Sequence, residues 1–342
     1  MDKKLMNPAA ASDRHPRRRL LGAACALPIL GLAAIAPAAW SQEAWPSRPV
    51  KLVVPFPPGG GTDVLARMLA ERLRPLFGQA VVIDNRPGAT GNIGNELVAK
   101  APADGYTLLM QGTIIGMFPH IFQKLGYDPL KDLAAVGMVA ESPYVIVANV
   151  DSPYKSLGDI VAAAKASSSQ PLPYATAGVG SPSHLAMEQL ASLAGVRLQH
   201  VTYRGTAPAL NDLLAGTTLF GSYSLSSLLG LIQSNKVRVI AVMTQARSPL
   251  LPETPGMAEL GFKAVDSSIR FGLFAPAGTP PDLQARLSAT IAKATADPGL
   301  RDAFVKAGYE VVTSTPQQMQ VLVQREHEMW GPIVRSLGLK PE

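Results

Sequence analysis

Hydrophobic and polar positions alternate along the chain with two periods, one typical of strands and one typical of helices. The run VKLVVPF (50–56) is apolar throughout and predicts a buried strand. In the segment that follows, DVLARMLAERLRPLF (63–77), apolar residues recur three and four positions apart, which predicts an amphipathic helix. AVVIDN (80–85) predicts a second strand, IGNELVAKA a second helix and DGYTLLMQG a third strand. This order is typical of parallel sheets with crossover helices.

The same alternation continues through the middle of the chain and then gives way to helices. The further predicted segments are, in chain order, the strand VGMVAESPYVIVANV (136–150), the helix SLGDIVAAAKAS (156–167), the strand PLPYATAG, the capped helix SPSHLAMEQLASLAG, the segments LQHVTY, PALNDLLAG, TLFGSYS and VRVIAVM, and the strand RFGLFAPAG (270–278). Two long helical stretches end the chain. The whole pattern predicts an α/β fold.

Length and composition limit the number of domains. The chain has 342 residues, of which 47% are hydrophobic and 16% charged, so it can bury a large core. This length fits two α/β domains better than one. Thirty Gly and thirty Pro indicate many short connections between elements.

The first 41 residues have the layout of an export signal. A basic stretch, RHPRRRL (14–20), precedes a long run of small and apolar residues. Ala39-Trp40-Ser41 then offers a cleavage site before Gln42. We therefore expect an exported, periplasmic protein. The pair Arg17-Arg18 resembles a twin-arginine signal, and the general secretory route remains open.

Removal of this segment changes the charge of the protein. The segment holds six of the 31 basic and two of the 25 acidic residues, which leaves 25 basic and 23 acidic residues and a net charge of +2. A balance so near zero does not favour nucleic-acid binding. The single cysteine, Cys25, lies within the segment, and the four remaining histidines show no metal-ligand spacing. No metal site is expected.

A glycine-rich stretch, PFPPGGGTD (55–63), joins the first strand to the first helix, and we call it the first glycine loop. It lacks the lysine of a phosphate-binding P-loop and the third glycine of a dinucleotide fingerprint. Glycines let backbone N–H groups approach a ligand, and a helix start attracts anions. Thr62 or Asp63 is predicted to cap the helix. The alternative is a plain strand-to-helix turn.

A second stretch, AGVGSPSH (177–184), repeats this arrangement, and we call it the second glycine loop. Ser181 is predicted as the N-cap of a helix and Pro182 as its first residue. His184 in the first turn is either a ligand donor or a surface residue. With one such loop in each half of the chain, the sequence predicts two helix starts directed at one anion.

Several longer stretches identify a family resemblance. They lie in order between about residues 45 and 280: WPSRPVKLVVPFPPGGGTD, NRPGATGNIGNELVAKAPADGYTLL, YDPLKDLAAVGMVA, AGVGSPSHLAMEQL, VTYRGTAPALNDLLAG and FGLFAPAGTP. The chain resembles the Bug-type solute receptors, the extracytoplasmic substrate-binding family of tripartite tricarboxylate transporters. The resemblance implies an α/β, two-lobed periplasmic binding protein of type II, the Venus-flytrap fold, with two interlobe crossings.

The resemblance also implies a division of the chain and a ligand. Lobe 1 would comprise residues 42–142 plus 268–342, and lobe 2 residues 143–267. A small carboxylate (a di- or tricarboxylate, an amino acid or an aromatic acid) would bind between the lobes through backbone amides and ordered waters. The partners would be membrane transporter subunits or, as the alternative, a membrane sensor kinase. A monomer without cofactor is expected.

The resemblance carries over a set of ligand-binding residues from both loops and nearby segments. These are Phe56, Gly60, Gly61, Thr62, Asp63, Thr113, Gly180, Ser181, His184, Tyr203 and Thr206. Thr113 follows the third strand and has the alternative of being an ordinary turn residue.

Two departures from the family pattern add candidates. Where relatives commonly have acidic residues, this chain has Leu219 and Tyr223, and where a Trp is common it has Arg270. Both changes favour negative charge in a ligand, and we predict that Arg270 is an uncompensated cation that binds a carboxylate. The alternative is that Arg270 points to solvent. Enzyme function is not expected, since no G-x-S-x-G elbow or catalytic triad is present.

Overall fold

The computed structural model describes residues 45–167, 169–203 and 205–336. The predicted export segment, 1–41, lies outside the described residues. Within them the strands are β1 (Val50–Val54), β2 (Val81–Asn85), β3 (Thr107–Gly112), β4 (Leu133–Asn149), β5 (Leu172–Thr176), β6 (Leu198–Thr202), β7 (Phe220–Ser224), β8 (Val237–Val242) and β9 (Ser268–Pro276). The helices are α1 (Gly61–Phe77), α2 (Asn92–Ala99), α3 (Phe118–Ile121), α4 (Leu157–Ala166), α5 (Pro182–Ala194), α6 (Thr206–Leu214), α7 (Leu225–Gln233), α8 (Pro281–Thr295), α9 (Pro298–Lys306) and α10 (Pro316–Ser336).

The strands form one continuous mixed sheet. Its order is β2-β1-β3-β9-β4-β7-β5-β6, and β8 also pairs with β4. The predicted parallel pairing is present where β1 joins β2 and β3, and where β5 joins β6 and β7. It is wrong for the pairs of β4 with β7, β8 and β9 and of β9 with β3, which are antiparallel. Hydrophobic periodicity reports which faces of a strand are buried and carries no information on its direction.

The long strand β4 divides the sheet into two segments. Its first part pairs with β9 as far as Pro143, and its second part pairs with β7 from Tyr144 onward. The first sheet segment thus contains β1, β2, β3 and β9, and the second contains β5, β6, β7 and β8. The change of partner lies next to the predicted lobe boundary between residues 142 and 143, and the lobe boundaries themselves stay a prediction.

Alternating residues of the first sheet segment face two different layers of helices. Leu52 and Val54 of β1 pack in one cluster with Leu65, Leu69 and other residues of α1, α8 and α9. Val53 packs on the opposite face with residues of α2 and α10. The continuous apolar run VKLVV therefore reflects a strand that is buried on both faces.

The last helix, α10, connects the two segments. Met319 and Val323 belong to the cluster beneath the first segment. Trp330 and Val334 pack with Leu185 of α5 in the cluster of the second segment. None of the described helices combines the length and the apolar content that a bilayer crossing requires.

Candidate functional site

The first glycine loop ends at a helix start that no side chain caps. Gly60 is the N-cap of α1 and has no side-chain cap bond, so the prediction that Thr62 or Asp63 caps this helix is wrong. The first helical bond runs from the Val64 N–H to the Gly60 carbonyl at 3.0 Å. The N–H groups of Gly61, Thr62 and Asp63 precede that bond and point out of the helix end. They are the donors that an anion would use.

Asp63 holds this loop in place from within the protein. Its carboxylate accepts hydrogen bonds from the Gly59 N–H (2.9 Å), from Arg67 Nε (2.8 Å) and from Asn85 Nδ2 (2.9 Å). Burial alone raises its pKa, but these bonds outweigh burial and lower the pKa of Asp63 to about 2. The side chain is 2% exposed. Its geometry therefore suits fixing the loop, with Arg67 balancing its charge.

Position 61 requires glycine for a steric reason that the sequence did not reveal. Positive φ occurs at Gly59 (82°), whereas Gly61 adopts ordinary helical backbone. A Cβ atom at Gly61 would lie 2.5 Å from the hydroxyl oxygen of Tyr309. Tyr309 follows α9 and is far from the loop in sequence. The close approach at Gly61 is thus made by a protein side chain.

Tyr309 also contacts the start of α7, a helix that the sequence analysis missed. A Cβ atom at Gly308 would lie 2.7 Å from Ser226 Cα, so the backbone beside Tyr309 packs on this helix turn. Burial raises the pKa of Tyr309, and the Ser226 side chain offsets this in part. The Ser226 N–H donates to Ser142 Oγ at 2.9 Å. The starts of α1 and α7 therefore meet around one buried tyrosine.

The second glycine loop is held by neutral groups. Gly180 has a φ of 70°, and its N–H donates to His184 Nδ1 at 3.1 Å. The predicted N-cap Ser181 is confirmed, since its Oγ accepts from the His184 N–H at 3.3 Å. Pro182 is the first helical residue, also as predicted. His184 is only 6% exposed, so the surface alternative for this residue is wrong.

His184 stacks on a second imidazole, His200, which the sequence analysis did not select. The ring centroids are 3.9 Å apart with an interplanar angle of 21°. Burial, together with the neighbouring His200, lowers the pKa of His184 to about 4, and burial lowers that of His200 to about 4. Because Nδ1 of His184 accepts a hydrogen bond, the proton of its neutral ring sits on Nε2. His200 Nε2 lies 2.7 Å from Thr176 Oγ1.

The other predicted residues lie in different environments. Phe56 packs against the cluster of α1, and Thr206 is the first residue of α6. Tyr203 is half-buried and donates its hydroxyl proton to Asp212 at 2.7 Å. Thr113 is buried, 3.5 Å from Glu326 Oε1. Tyr223 lies in the core at 1% exposure and donates to the Ala209 carbonyl, so it offers no surface to a ligand.

The prediction of an uncompensated charge on Arg270 is wrong. Its guanidinium lies 3.3 Å from Glu141, 3.6 Å from Asp266 and 3.7 Å from Glu326. Those acids come from β4, the segment before β9 and α10, and none stands at position 219 or 223. The cavity beside it has a volume of about 10 Å³, room for about one water. This geometry suits a structural ion cluster, in which three acids balance the charge of Arg270.

In the structure the predicted site residues form separate groups. The first glycine loop meets Tyr309 and α7, while the second meets α3, since a Cβ at Gly180 would lie 3.8 Å from Ile121. In the part of the chain that is described, no hydrogen bond or ion pair links the two loops. The described ranges also hold no group of three His, Cys, Asp or Glu side chains placed to bind a metal ion.

A known family matches most of the chain. The family described as "Tripartite tricarboxylate transporter family receptor" matches residues 65–339. The "UPF0065 protein in tcbD-tcbE intergenic region" of Pseudomonas sp. (strain P51) is 38% identical over 293 residues, covering 85% of this chain and 87% of that protein. Protein BugT of Bordetella pertussis is 36% identical over 304 residues, covering 88% and 92%.

Solved structures agree with this match. Rpa4515 of R. palustris with adipate has a TM-score of 0.76 at 34% identity, covering 87% of this chain and all of that one. Periplasmic binding protein BugD has a TM-score of 0.73 at 34% identity, with the same coverage. MatC of Rhodopseudomonas palustris with bound malate has a TM-score of 0.70 at 31% identity, covering 84% and 99%. The chain therefore has the α/β, two-lobed fold of these binding proteins.

Proposed function

The chain belongs to the receptor family of the tripartite tricarboxylate transporters, and we propose that it captures a small carboxylate in the periplasm for a transporter of that type. As a member of this family it is a solute-binding receptor and not an enzyme. The observation that carries the proposal is the start of α1, where three backbone N–H groups precede the first helical bond.

The chemistry around the helix starts supports an anionic ligand bound without a full positive charge. The first turns of α1, α5, α6 and α7 contain no Lys or Arg. Backbone N–H groups, the helix dipole and serine hydroxyls would make the contacts. Two relatives of the same fold were solved with dicarboxylates, adipate and malate. A dicarboxylate is therefore the ligand class that we propose for this protein.

A thermal-shift screen against adipate, malate and citrate, each beside its uncharged amide analogue, tests the proposal. A ligand at a hundredfold excess over its Kd stabilises the folded state by about 2.7 kcal/mol, which shifts the melting temperature clearly. We expect at least one acid to stabilise the protein and its amide to do so far less. Equal shifts for acid and amide, or none for any acid, would contradict carboxylate capture.

Two matched glycine variants locate the site. Gly59 and Gly78 precede and follow the same helix, both have positive φ, and at neither would an added Cβ atom meet another atom within 4 Å. Gly59→Ala and Gly78→Ala should each cost about 1 kcal/mol of unfolding free energy, because alanine is strained there. Only Gly59→Ala should weaken ligand binding. Equal affinity in both variants would place the ligand elsewhere.

Export belongs to the same proposal and has its own test. Mass spectrometry of the periplasmic protein should show a mature chain that begins near Gln42. Substitution of Arg17 and Arg18 by lysine should block export only if the twin-arginine route is used. A full-length chain in the periplasmic fraction would contradict cleavage.

A further inference from the structure

Tyr309 stands between two helix starts that are distant in the chain. It is 2% exposed, and its ring packs edge-on against Phe271, with the ring centroids 5.7 Å apart, and against Phe304 at 6.4 Å. These contacts fix the ring within the core formed by α1, α8 and α9. Only the hydroxyl end reaches beyond that core. No motif of the sequence indicates that this phenolic oxygen lies there.

On one side the hydroxyl touches the start of α1. A Cβ at Gly61 would lie 2.5 Å from the phenolic oxygen but 3.9 Å from Cζ, the ring carbon that bears it. The first distance is a clash and the second an ordinary contact. The hydroxyl oxygen alone therefore prevents a side chain at position 61. It sets how closely the first helical residue approaches the aromatic core.

On the other side the same segment touches the start of α7. A Cβ at Gly308 would lie 2.7 Å from Ser226 Cα, so the backbone before Tyr309 packs directly on this helix turn. Ser142 Oγ completes the link, accepting from the Ser226 N–H at 2.9 Å and donating to the Gly308 carbonyl at 3.3 Å.

These contacts join the two sheet segments at their helix ends. α1 follows β1 of the first segment, and α7 lies between β7 and β8 of the second. We propose that Tyr309 is a positioning residue for ligand capture: its hydroxyl holds the N–H groups at the start of α1 in register with the start of α7. The inference rests on the proposed function, since it assigns those N–H groups to the ligand.

A double-mutant cycle tests the inference, with adipate and malate as probes. Gly61→Ala should weaken binding more than about tenfold, because the methyl group displaces α1 from the phenolic oxygen. Tyr309→Phe should weaken it about fivefold, because the start of α1 loses the hydroxyl against which it packs. The double variant should bind better than Gly61→Ala alone, because phenylalanine leaves room for the methyl group. If the affinity losses of the two single variants simply multiply in the double variant, the proposal is overturned.

Two further measurements separate this inference from the proposed function. Amide hydrogen exchange of the ligand-free protein should rise in Tyr309→Phe at two bonded amides together: Val64, which donates to the Gly60 carbonyl, and Ser226, which donates to Ser142 Oγ. It should rise at neither in the control Tyr106→Phe, whose hydroxyl contacts Ser47. Unchanged exchange at either helix start would overturn the role of Tyr309. If the wild type binds neither probe, but Tyr309→Phe still shows the paired rise in exchange, the result would count against the proposed dicarboxylate and support the link between the helices.

Discussion

The two glycine loops obey the same sequence rule but are held in place by opposite kinds of group. Each joins a strand to a helix and contains a glycine with positive φ, Gly59 or Gly180. The first loop is fixed by an ionised carboxylate, whose Oδ2 accepts from the Gly59 N–H. The second is fixed by a neutral imidazole, whose Nδ1 accepts from the Gly180 N–H. Two loops with similar sequence patterns are therefore held by groups of different charge.

This difference separates the pH ranges in which the two loops lose their support. The folded pKa of Asp63 is lowered to about 2 from the ordinary 3.8, so its contribution to stability is present at neutral pH and is lost as pH falls through that range. The folded pKa of His184 is lowered to about 4 from 6.5. Its unfolded form therefore binds a proton first, and stability falls between pH 6.5 and 4. In mild acid the protein should therefore lose the stability that depends on His184 and keep the stability that depends on Asp63.

Asp63→Ala should have the largest effect and acts on the first loop alone. It removes the acceptor of hydrogen bonds from Gly59, Arg67 and Asn85, and bonds to charged groups contribute about 1.5–3 kcal/mol each to stability. We expect a loss of about 3 kcal/mol in urea unfolding and more than tenfold weaker ligand binding. The control Asp159→Ala, in the exposed capping box of α4, should reduce stability much less and leave affinity unchanged. Equal effects of both would make the first loop a plain turn.

Arg270→Met should have the next largest effect and tests whether the loops, rather than this arginine, bind the anion. The substitution leaves Glu141, Asp266 and Glu326 close together without a cation. Stability should fall by about 2 kcal/mol, while affinity for a dicarboxylate changes less than about threefold. The reverse outcome, a large loss of affinity at unchanged stability, would show that Arg270 contributes to ligand binding.

Mild acid should affect the second loop by a smaller amount. Between pH 7 and 5.5 the lowered pKa of His184 should cost about 1 kcal/mol of unfolding free energy, because only the unfolded imidazole becomes protonated in that range. Urea unfolding of His184→Gln should show a correspondingly flatter dependence on pH. An equal slope in the variant and the wild type would mean that the stacked pair does not hold the loop.

Local features of the candidate site were predictable from the sequence, and contacts between distant segments were not. The N-cap Ser181 follows from serine and proline at defined positions, which act on their own neighbours in the chain. The start of α1 was predicted two to three residues too late, at Thr62 or Asp63, because no side chain caps it. The fold followed from alternating periodicity and the family resemblance. The direction of β4, β8 and β9 left no mark on that periodicity.

Four details of the candidate site were not predictable from local sequence. The helix α7 begins with LSSL, where serines resemble a loop more than a helix, and it was missed. Tyr309 reaches Gly61 only because α9 returns to the first sheet segment. His200 pairs with His184 because β6 lies beside the start of α5. The partners of Arg270 come from elements that no local pattern connects, which explains why its charge was misjudged.

The smallest change, Gly60→Ser, makes the first loop resemble the second and sharpens the comparison most. Gly60 has φ −73° and ψ 163°, a backbone that serine adopts freely, and a Cβ there meets only the Pro57 carbonyl, at an ordinary 3.5 Å. A serine hydroxyl would accept from the N–H of Thr62 or Asp63, as Ser181 does in α5. Because serine exceeds glycine as a cap by only a few tenths of a kcal/mol, stability should rise by about that amount. Ligand affinity should nevertheless fall severalfold by calorimetry, since the new hydroxyl occupies an N–H group that the carboxylate would use. A gain in stability with unchanged affinity would show that the ligand does not bind at the start of α1.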